Sequence, residues 1–154
     1  MKKMILFLMI SLSPLLARDI VATDANATDL VYMLPLKEFP KWICEAELKN
    51  GKKVQFASVK SMMQLFFHQE YFKKRKLVDD VVKTIYVQDF ISGRKIEASK
   101  AVYLFGSRMI GPHGDDLIPF ESEDNAKLFM LKNGGTKILP YKKLSKGLIK
   151  YLDM

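Results

Sequence analysis

The sequence predicts an α+β protein built from two tandem ββαβ units. Two short apolar strands joined by a turn precede a serine and a helix, and this order occurs twice along the chain. The residues also correspond, because Gly51 and Phe56-Ala57-Ser58 in the first half match Gly114 and Phe120-Glu121-Ser122 in the second. Such self-similarity indicates an internal duplication. One helix behind each small sheet gives the α+β class.

The first 17 residues differ from the rest of the chain. Two lysines precede an apolar run from Met4 to Leu12, and the segment ends on the small residue Ala17. This pattern is typical of a secretory signal peptide. The run is shorter than the roughly 20 residues that a membrane-spanning helix needs. We therefore expect export across the inner membrane to the periplasm, cleavage after Ala17 or as late as Ala22, and no stable membrane anchor.

The domain proper is predicted to begin at Phe39. Residues 18–38 are rich in Ala, Thr, Asp and Asn, a composition that predicts a flexible lead-in. The domain at residues 39–154 divides into halves of about 39–90 and 96–144, followed by a basic C-terminal tail. We therefore expect one folded domain behind a mobile segment.

The first half carries the signals of a hairpin followed by a helix. Asn50-Gly51 is a two-residue turn signal between a strand over residues 42–48 and its partner over residues 53–56. Ser58 is placed to cap the helix that follows. A β-branched strand over residues 82–87 then completes the half.

The second half repeats this plan with a longer loop in its hairpin. The loop runs from Gly106 to Gly114 and is rich in glycine. Ser122 is placed to cap a helix over residues 125–132, and Gly134 can end that helix in a left-handed conformation. Strands are predicted over residues 101–105, 117–120 and 136–139.

Residue types that usually form enzyme sites are scarce. The chain has two histidines and one cysteine, and it contains no G-x-S-x-G, H-E-x-x-H or P-loop motif. A single cysteine excludes an intrachain disulfide and the zinc or redox centres that need two thiols. We therefore expect a protein that is not an enzyme.

The formal net charge of +8 comes from scattered lysine and arginine clusters. The clusters lack the interleaved aromatic side chains on which proteins that bind single-stranded nucleic acids stack the bases. We therefore expect no nucleic-acid partner. They are interpreted as solvated faces. The alternatives are contact with an acidic partner or with an anionic membrane surface.

Soft metal donors are the remaining candidates for chemistry. Methionine thioethers, Cys44 and the two imidazoles are ligand types that suit Cu(I). Met109 and His113 stand four residues apart in the Gly-rich loop. Two alternatives stay open: Met109 folds under the loop as an apolar plug, and Cys44 is an inert buried thiol on a strand.

Several short motifs are spaced as in a known family. They are Phe39-Pro40-Lys41-Trp42, Asn50-Gly51-Lys52, residues 56–62, residues 87–98, Gly111-Pro112-His113-Gly114, Pro119-Phe120 and Gly134-Gly135. Together they resemble the NosL family, the copper-binding accessory proteins of nitrous oxide reductase maturation. The resemblance covers roughly residues 33–144 and implies a fold of two tandem ββαβ units. It also implies a metallochaperone that binds Cu(I) loosely and hands it to the maturation machinery of a copper enzyme.

The chain departs from the family at the copper motif. NosL proteins usually carry Cys-x-x-Cys-Gly-Met before the tryptophan, and alignment on Met33 places Thr28 and Val31 where the cysteines would be. His113 stands where the family tends to have methionine. The expected copper ligands are Met109, His113 and Met33, with Cys44 in reserve. The alternative function is a copper-free relative that acts as a periplasmic protein-binding module or as a subunit of a heteromeric chaperone.

Overall fold

A computed structural model describes residues 18–154. The predicted signal peptide at residues 1–17 lies outside the described residues. The described part combines helices with two antiparallel sheets, which confirms the predicted α+β class. Between residues 18 and 154, no helix is long and apolar enough to cross a membrane.

The first sheet has four antiparallel strands in the spatial order β2-β1-β3-β4. Gly51 turns the β1–β2 hairpin with a φ of +84°, which glycine adopts without strain. Two helices connect β2 to β3, and the first of them packs on β1 and β2 through buried Met62, Met63 and Leu65. The elements are β1 (Cys44–Leu48), β2 (Lys53–Phe56), α1 (Val59–Phe67), α2 (Gln69–Lys74), β3 (Val82–Gln88) and β4 (Lys95–Glu97).

The second sheet has three antiparallel strands in the order β6-β5-β7. Its elements are β5 (Val102–Phe105), β6 (Ile118–Phe120), α3 (Glu123–Asn133) and β7 (Lys137–Pro140), followed by α4 (Lys146–Leu152). Short 3₁₀ helices lie at Leu36–Glu38, Ala98–Lys100 and Tyr141–Lys143. The first two of these lie ahead of the first strand of each unit.

The two sheets share one connectivity, which confirms the predicted duplication. In each unit the first strand is central, between the strand that follows it and the strand that follows the helix. Phe56 and Phe120 are fully buried at the ends of β2 and β6. Two residues later, Ser58 and Ser122 each accept a hydrogen bond from the N–H three residues on and so cap α1 and α3.

Each unit also opens with the same turn, which the sequence alone did not predict. The carboxylates of Asp29 and Asp89 each accept hydrogen bonds from the N–H groups two and three residues later. The carbonyl of each aspartate accepts from the N–H four residues on, and its N–H donates to the carbonyl five residues on. We call these segments the Asp29 turn (residues 29–34) and the Asp89 turn (residues 89–94).

The two turns are fastened to equivalent positions of the two units. Asp29 Oδ1 accepts from the N–H of Ala57 over 3.0 Å, and Asp89 Oδ2 accepts from the N–H of Glu121 over 2.9 Å. Ala57 and Glu121 both lie between the buried phenylalanine and the capping serine. The duplicated unit therefore includes the turn, and the first unit begins near residue 28 instead of residue 39.

The predicted flexible lead-in at residues 18–38 packs against the first unit in the structure. Ile20 and Leu36 are 2% and 1% exposed, and they form an apolar cluster with Ile43 and Ala57. Because residues 18–38 are mostly polar, their composition did not predict that these two apolar residues are buried. Asp29 is also fully buried, and its two carboxylate oxygens accept four hydrogen bonds, three from backbone N–H groups and one from the hydroxyl of Ser61.

The predicted basic C-terminal tail contains a helix, α4, that joins the core. Ile149 and Leu152 are buried where α4 packs on α1, while Lys146 and Lys150 are exposed. Ser145 caps the helix by accepting a hydrogen bond from the N–H of Leu148 over 3.2 Å. This packing places the end of the chain beside the long loop of the second unit.

Candidate metal site

His113 lies in the loop between β5 and β6. The N–H of Gly111 donates to the carbonyl of Gly114 over 2.8 Å, which closes a tight turn around Pro112 and His113. The imidazole stacks on the ring of Tyr32, with centroids 4.0 Å apart and planes 10° apart. The His113 side chain is 51% exposed. One ring face is therefore covered by the first unit, and the remainder is accessible to solvent.

Lys60 and Asp153 fasten the loop to the helices beside it. Lys60 Nζ is buried and donates to the carbonyls of His113, over 2.6 Å, and of Leu152, over 3.0 Å. Tyr32 Oη donates to Asp153 Oδ1 over 2.6 Å, and the same oxygen lies 3.7 Å from Lys60 Nζ. Burial and the hydrogen bond to Asp153 raise the pKa of Tyr32, so the hydroxyl stays a donor. These contacts fix His113 relative to the Asp29 turn and to the end of α4.

Asp116 supports the loop from the protein interior. Its Oδ1 accepts from the N–H of Lys60 over 2.9 Å and from the N–H of Leu117 over 2.8 Å, which ties the start of α1 to β6. Within the described part of the chain, Asp116 Oδ2 is buried without a hydrogen-bond partner. Burial raises the pKa of this carboxyl group to about 6 because a charged form is poorly solvated there.

A cavity of about 380 Å³ opens beside His113. Asp153 and Met154 line it together with His113, and Met154 is 91% exposed. Met33 follows the stacked Tyr32 in the chain and is 67% exposed. Met154 therefore places an accessible thioether at the cavity beside His113, and Met33 carries another accessible thioether one residue after the stacked Tyr32.

Met33 has an unusual backbone conformation. Its φ is +58°, in the left-handed region, and the equivalent residue of the Asp89 turn is Gly93 with a φ of +76°. A residue other than glycine loses about 1–2 kcal/mol in this conformation. The turn thus holds an exposed thioether where glycine would fit with less strain. This favours a role for the Met33 side chain at the surface.

Met109 has different surroundings from His113. It is half-buried and packs on the apolar cluster of the second unit, which includes Leu104 and Phe120. Its N–H donates to Ser107 Oγ over 3.1 Å. This placement favours the alternative in which Met109 fills the space under the loop.

Cys44 lies in the core of the first unit. It is 1% exposed, and its thiol donates to the carbonyl of Trp42 over 3.3 Å. Burial raises the pKa of Cys44 well above its usual range, which keeps the thiol protonated. Since a thiolate is the form that binds metal, this position favours the alternative of a structural thiol.

The exposed candidate donors are soft ones. Across residues 18–154, no three His, Cys, Asp or Glu side chains are grouped so that they could hold a metal ion. His113, Met33 and Met154 together supply an imidazole and two thioethers, which suit Cu(I) better than a hard cation. The sequence pointed to Met33 and His113 but not to Met154, because no sequence pattern placed the chain end beside the β5–β6 loop.

Comparison with known proteins agrees with this architecture. The family model described as NosL matches residues 20–149. The crystal structure of the copper chaperone NosL from Shewanella denitrificans is similar with a TM-score of 0.68 and 21% identity, over 85% of this chain and 98% of that one. The solution NMR structure of apo-NosL from Achromobacter cycloclastes has a TM-score of 0.48 and 23% identity, over 69% of this chain and 87% of that one. No curated protein sequence matches the chain.

Proposed function

The chain belongs to the NosL family, and on that premise we propose that it binds Cu(I) beside His113 and passes it to a partner. The partner is the maturation machinery of a copper enzyme such as nitrous oxide reductase. In this proposal the protein is a carrier and not an enzyme, and copper is its cargo. The similar crystal structure from Shewanella denitrificans is that of a copper chaperone, which supports this role.

The observation that carries the proposal is the half-exposed imidazole of His113, which lines one cavity with the exposed thioether of Met154 and stacks on Tyr32, the residue before the exposed Met33. Such neutral soft donors bind Cu(I) without needing the two cysteines that the family motif usually provides. The nearby ammonium of Lys60 is directed at two carbonyls and lies close to Asp153, which offsets its charge. His113 and Met154 line an open cavity, so an ion bound there would be accessible to a partner.

The site draws on both units of the duplication. Tyr32 and Met33 come from the Asp29 turn of the first unit, and His113 comes from the β5–β6 loop of the second. Met109 remains a ligand predicted from the sequence, but its half-buried position makes it the weaker candidate. Met154 replaces it in the proposed donor set.

Export to the periplasm is part of the proposal and is based on residues 1–17. The protein isolated from the exported fraction of its host should lack residues 1–17 or 1–22 and carry no lipid. Intact-mass spectrometry measures both properties. Exported material that retains Met1 would contradict the signal-peptide interpretation.

A competition titration with bathocuproine tests copper binding by the purified protein. We expect about one Cu(I) per chain, strongly reduced binding for His113→Ala, and retained binding for His113→Met, which supplies another soft donor. His68→Ala is the matched control, because His68 lies between α1 and α2 and contacts the carbonyl of Gln64. Equal loss in both alanine variants would contradict a site at His113. Absence of Cu(I) binding by the wild type would favour the copper-free protein-binding module.

A further inference from the structure

A concentration of basic residues lies at the other end of α1 from His113. We define this basic end as residues 49–53 of the β1–β2 hairpin and residues 70–80, which together contain seven basic and three acidic residues. The two segments are in contact. Asn50 Nδ2 donates to Asp79 Oδ1 over 2.9 Å, and the N–H of Lys49 donates to the carbonyl of Val81 over 3.0 Å.

Most of the positive charge at the basic end is not neutralised by the protein. Lys52 pairs with Asp79, and Lys53 pairs with Glu45 at 3.3 Å. For the part of the chain that the structure describes, Lys49 and the run at residues 73–76 form no ion pair within 4.0 Å. Five cations are therefore left to attract an anionic partner.

Two exposed apolar side chains flank this basic run. Tyr71 is 54% exposed and Leu77 is 48% exposed. The guanidinium of Arg75 lies 5.3 Å from the centre of the Tyr71 ring. Lys76 ends the helical turn with a φ of +57°, and the N–H of Leu77 then donates to the carbonyl of Phe72 over 3.0 Å. The turn thus keeps cations and apolar groups together at one tip of the molecule.

We propose that the basic end docks onto an anionic lipid surface. Clustered Lys and Arg bind anionic bilayers, and each cation close to the surface strengthens binding about five-fold. An aromatic and an aliphatic side chain among those cations are the groups that enter the headgroup region. Cations with exposed apolar side chains beside them fit a lipid surface better than a soluble acidic protein. Binding to an acidic protein would need only the charges.

The proposed orientation leaves the copper site accessible. Lys60, in the first turn of α1, contacts His113, whereas α2 and the basic run follow the last turn of α1. A nine-residue helix is roughly 13 Å long. His113 therefore lies on the side away from the lipid, and docking does not depend on copper.

Vesicle binding tests the proposal with the chain from Arg18 to Met154, which is the whole described fold and lacks the apolar run at Met4–Leu12. The probes are vesicles of phosphatidylcholine with about one third phosphatidylglycerol, and pure phosphatidylcholine as the neutral surface. We expect co-sedimentation with the anionic vesicles that falls as salt is raised. Replacing residues 73–76 by glutamine should weaken binding several-hundred-fold.

The matched control removes the same number of charges elsewhere. Lys142, Lys143, Lys146 and Lys150 replaced by glutamine should weaken vesicle binding less than about five-fold, since these residues lie on the C-terminal segment. Equal losses for the two quadruple variants would overturn the proposal in favour of a simple net-charge effect. No binding of the wild-type chain to anionic vesicles would also overturn it.

A fluorescence measurement separates lipid from a soluble polyanion. Tyr71→Trp should show a blue shift of its emission on anionic vesicles but not with heparin, because only a bilayer surrounds the ring with apolar groups. The wild-type chain, with Trp42 alone, supplies the background. Vesicle binding without a shift would show attachment by charge alone and would overturn the preference for lipid over a soluble polyanion.

Discussion

The Asp29 turn and the Asp89 turn share their hydrogen bonds but differ at one residue. In both, a buried aspartate accepts hydrogen bonds from the N–H groups two and three residues later in the chain. Its carboxylate also accepts a hydrogen bond from the N–H of the residue that follows the buried phenylalanine of its unit. The left-handed position is occupied by Met33 in the first turn and by Gly93 in the second. Gly93 serves only the backbone conformation of its turn. A side chain would not fit there, because a Cβ would lie only 2.9 Å from Arg18 Cγ.

The comparison separates structural requirements from surface chemistry. Both turns contain the aspartate because its carboxylate binds the backbone N–H of the residue directly before the capping serine of each unit. A methionine in the left-handed position contributes little apolar burial, since Met33 is 67% exposed. The exposed side chain in a strained position agrees with the role proposed for Met33 as a copper ligand.

The largest expected effect tests whether the two units have equivalent cores. Phe56→Ala and Phe120→Ala should each lower the free energy of unfolding by about 3–5 kcal/mol, because each removes a fully buried ring and leaves a cavity. Chemical denaturation measures both variants. Leu131→Ala is the control, since Leu131 is 84% exposed and should change stability by less than about 0.5 kcal/mol. An unchanged midpoint for Phe56→Ala would disprove the duplicated core.

A second effect compares the buried carboxylates. Both oxygens of Asp29 accept hydrogen bonds, whereas Asp116 Oδ2 has no partner in the described structure. Burial raises the pKa of Asp116 from 3.8 to about 6. Between these values the folded state holds more protons than the unfolded state, so stability falls as pH rises through this window. By pH 7 the loss from this group should reach about 3 kcal/mol.

Asp116→Asn checks this pH dependence because it keeps an acceptor for the two N–H groups and cannot ionise. Denaturation midpoints measured from pH 4 to pH 7 should decline for the wild type more steeply than for the variant. Parallel curves for the two proteins would show that Asp116 does not cause the decline.

Local turn chemistry made parts of the fold predictable from the sequence. Asn50-Gly51 and the two capping serines act through neighbours within four residues, and the structure confirms all three features. The Asp29 turn was not predictable in this way. Its aspartate binds Ala57, 28 residues away, and its sequence shares little with the Asp89 turn beyond the aspartate.

The candidate site was predictable only in part for a similar reason. His113 stands out because a Gly-rich loop exposes it. The contribution of Met154 depends on α4 packing against α1. The lysines of α4 give it a basic composition, from which the burial of its two apolar residues could not be predicted. The half-buried place of Met109 depends on which way the loop folds, which composition does not determine.

The smallest stability effect tests the difference between the turns directly. Met33→Gly should raise the free energy of unfolding by up to about 1 kcal/mol, because glycine relieves the left-handed strain. Gly93→Ala should lower it by at least about 1–2 kcal/mol, since strain and the contact with Arg18 are both added. Equal destabilisation by both changes would contradict the interpretation of Met33 as a strained residue.

In the proposed function, the cargo site joins Met33 of the first unit to His113 of the second. The measurement that tests it most directly is the Cu(I) affinity of Met33→Gly, determined by bathocuproine competition on the same samples used for unfolding. We predict an affinity at least about ten-fold lower than that of the wild type in a protein that is no less stable, with Met109→Leu unchanged as the control. An unchanged affinity for Met33→Gly, or a loss in Met109→Leu alone, would contradict the account.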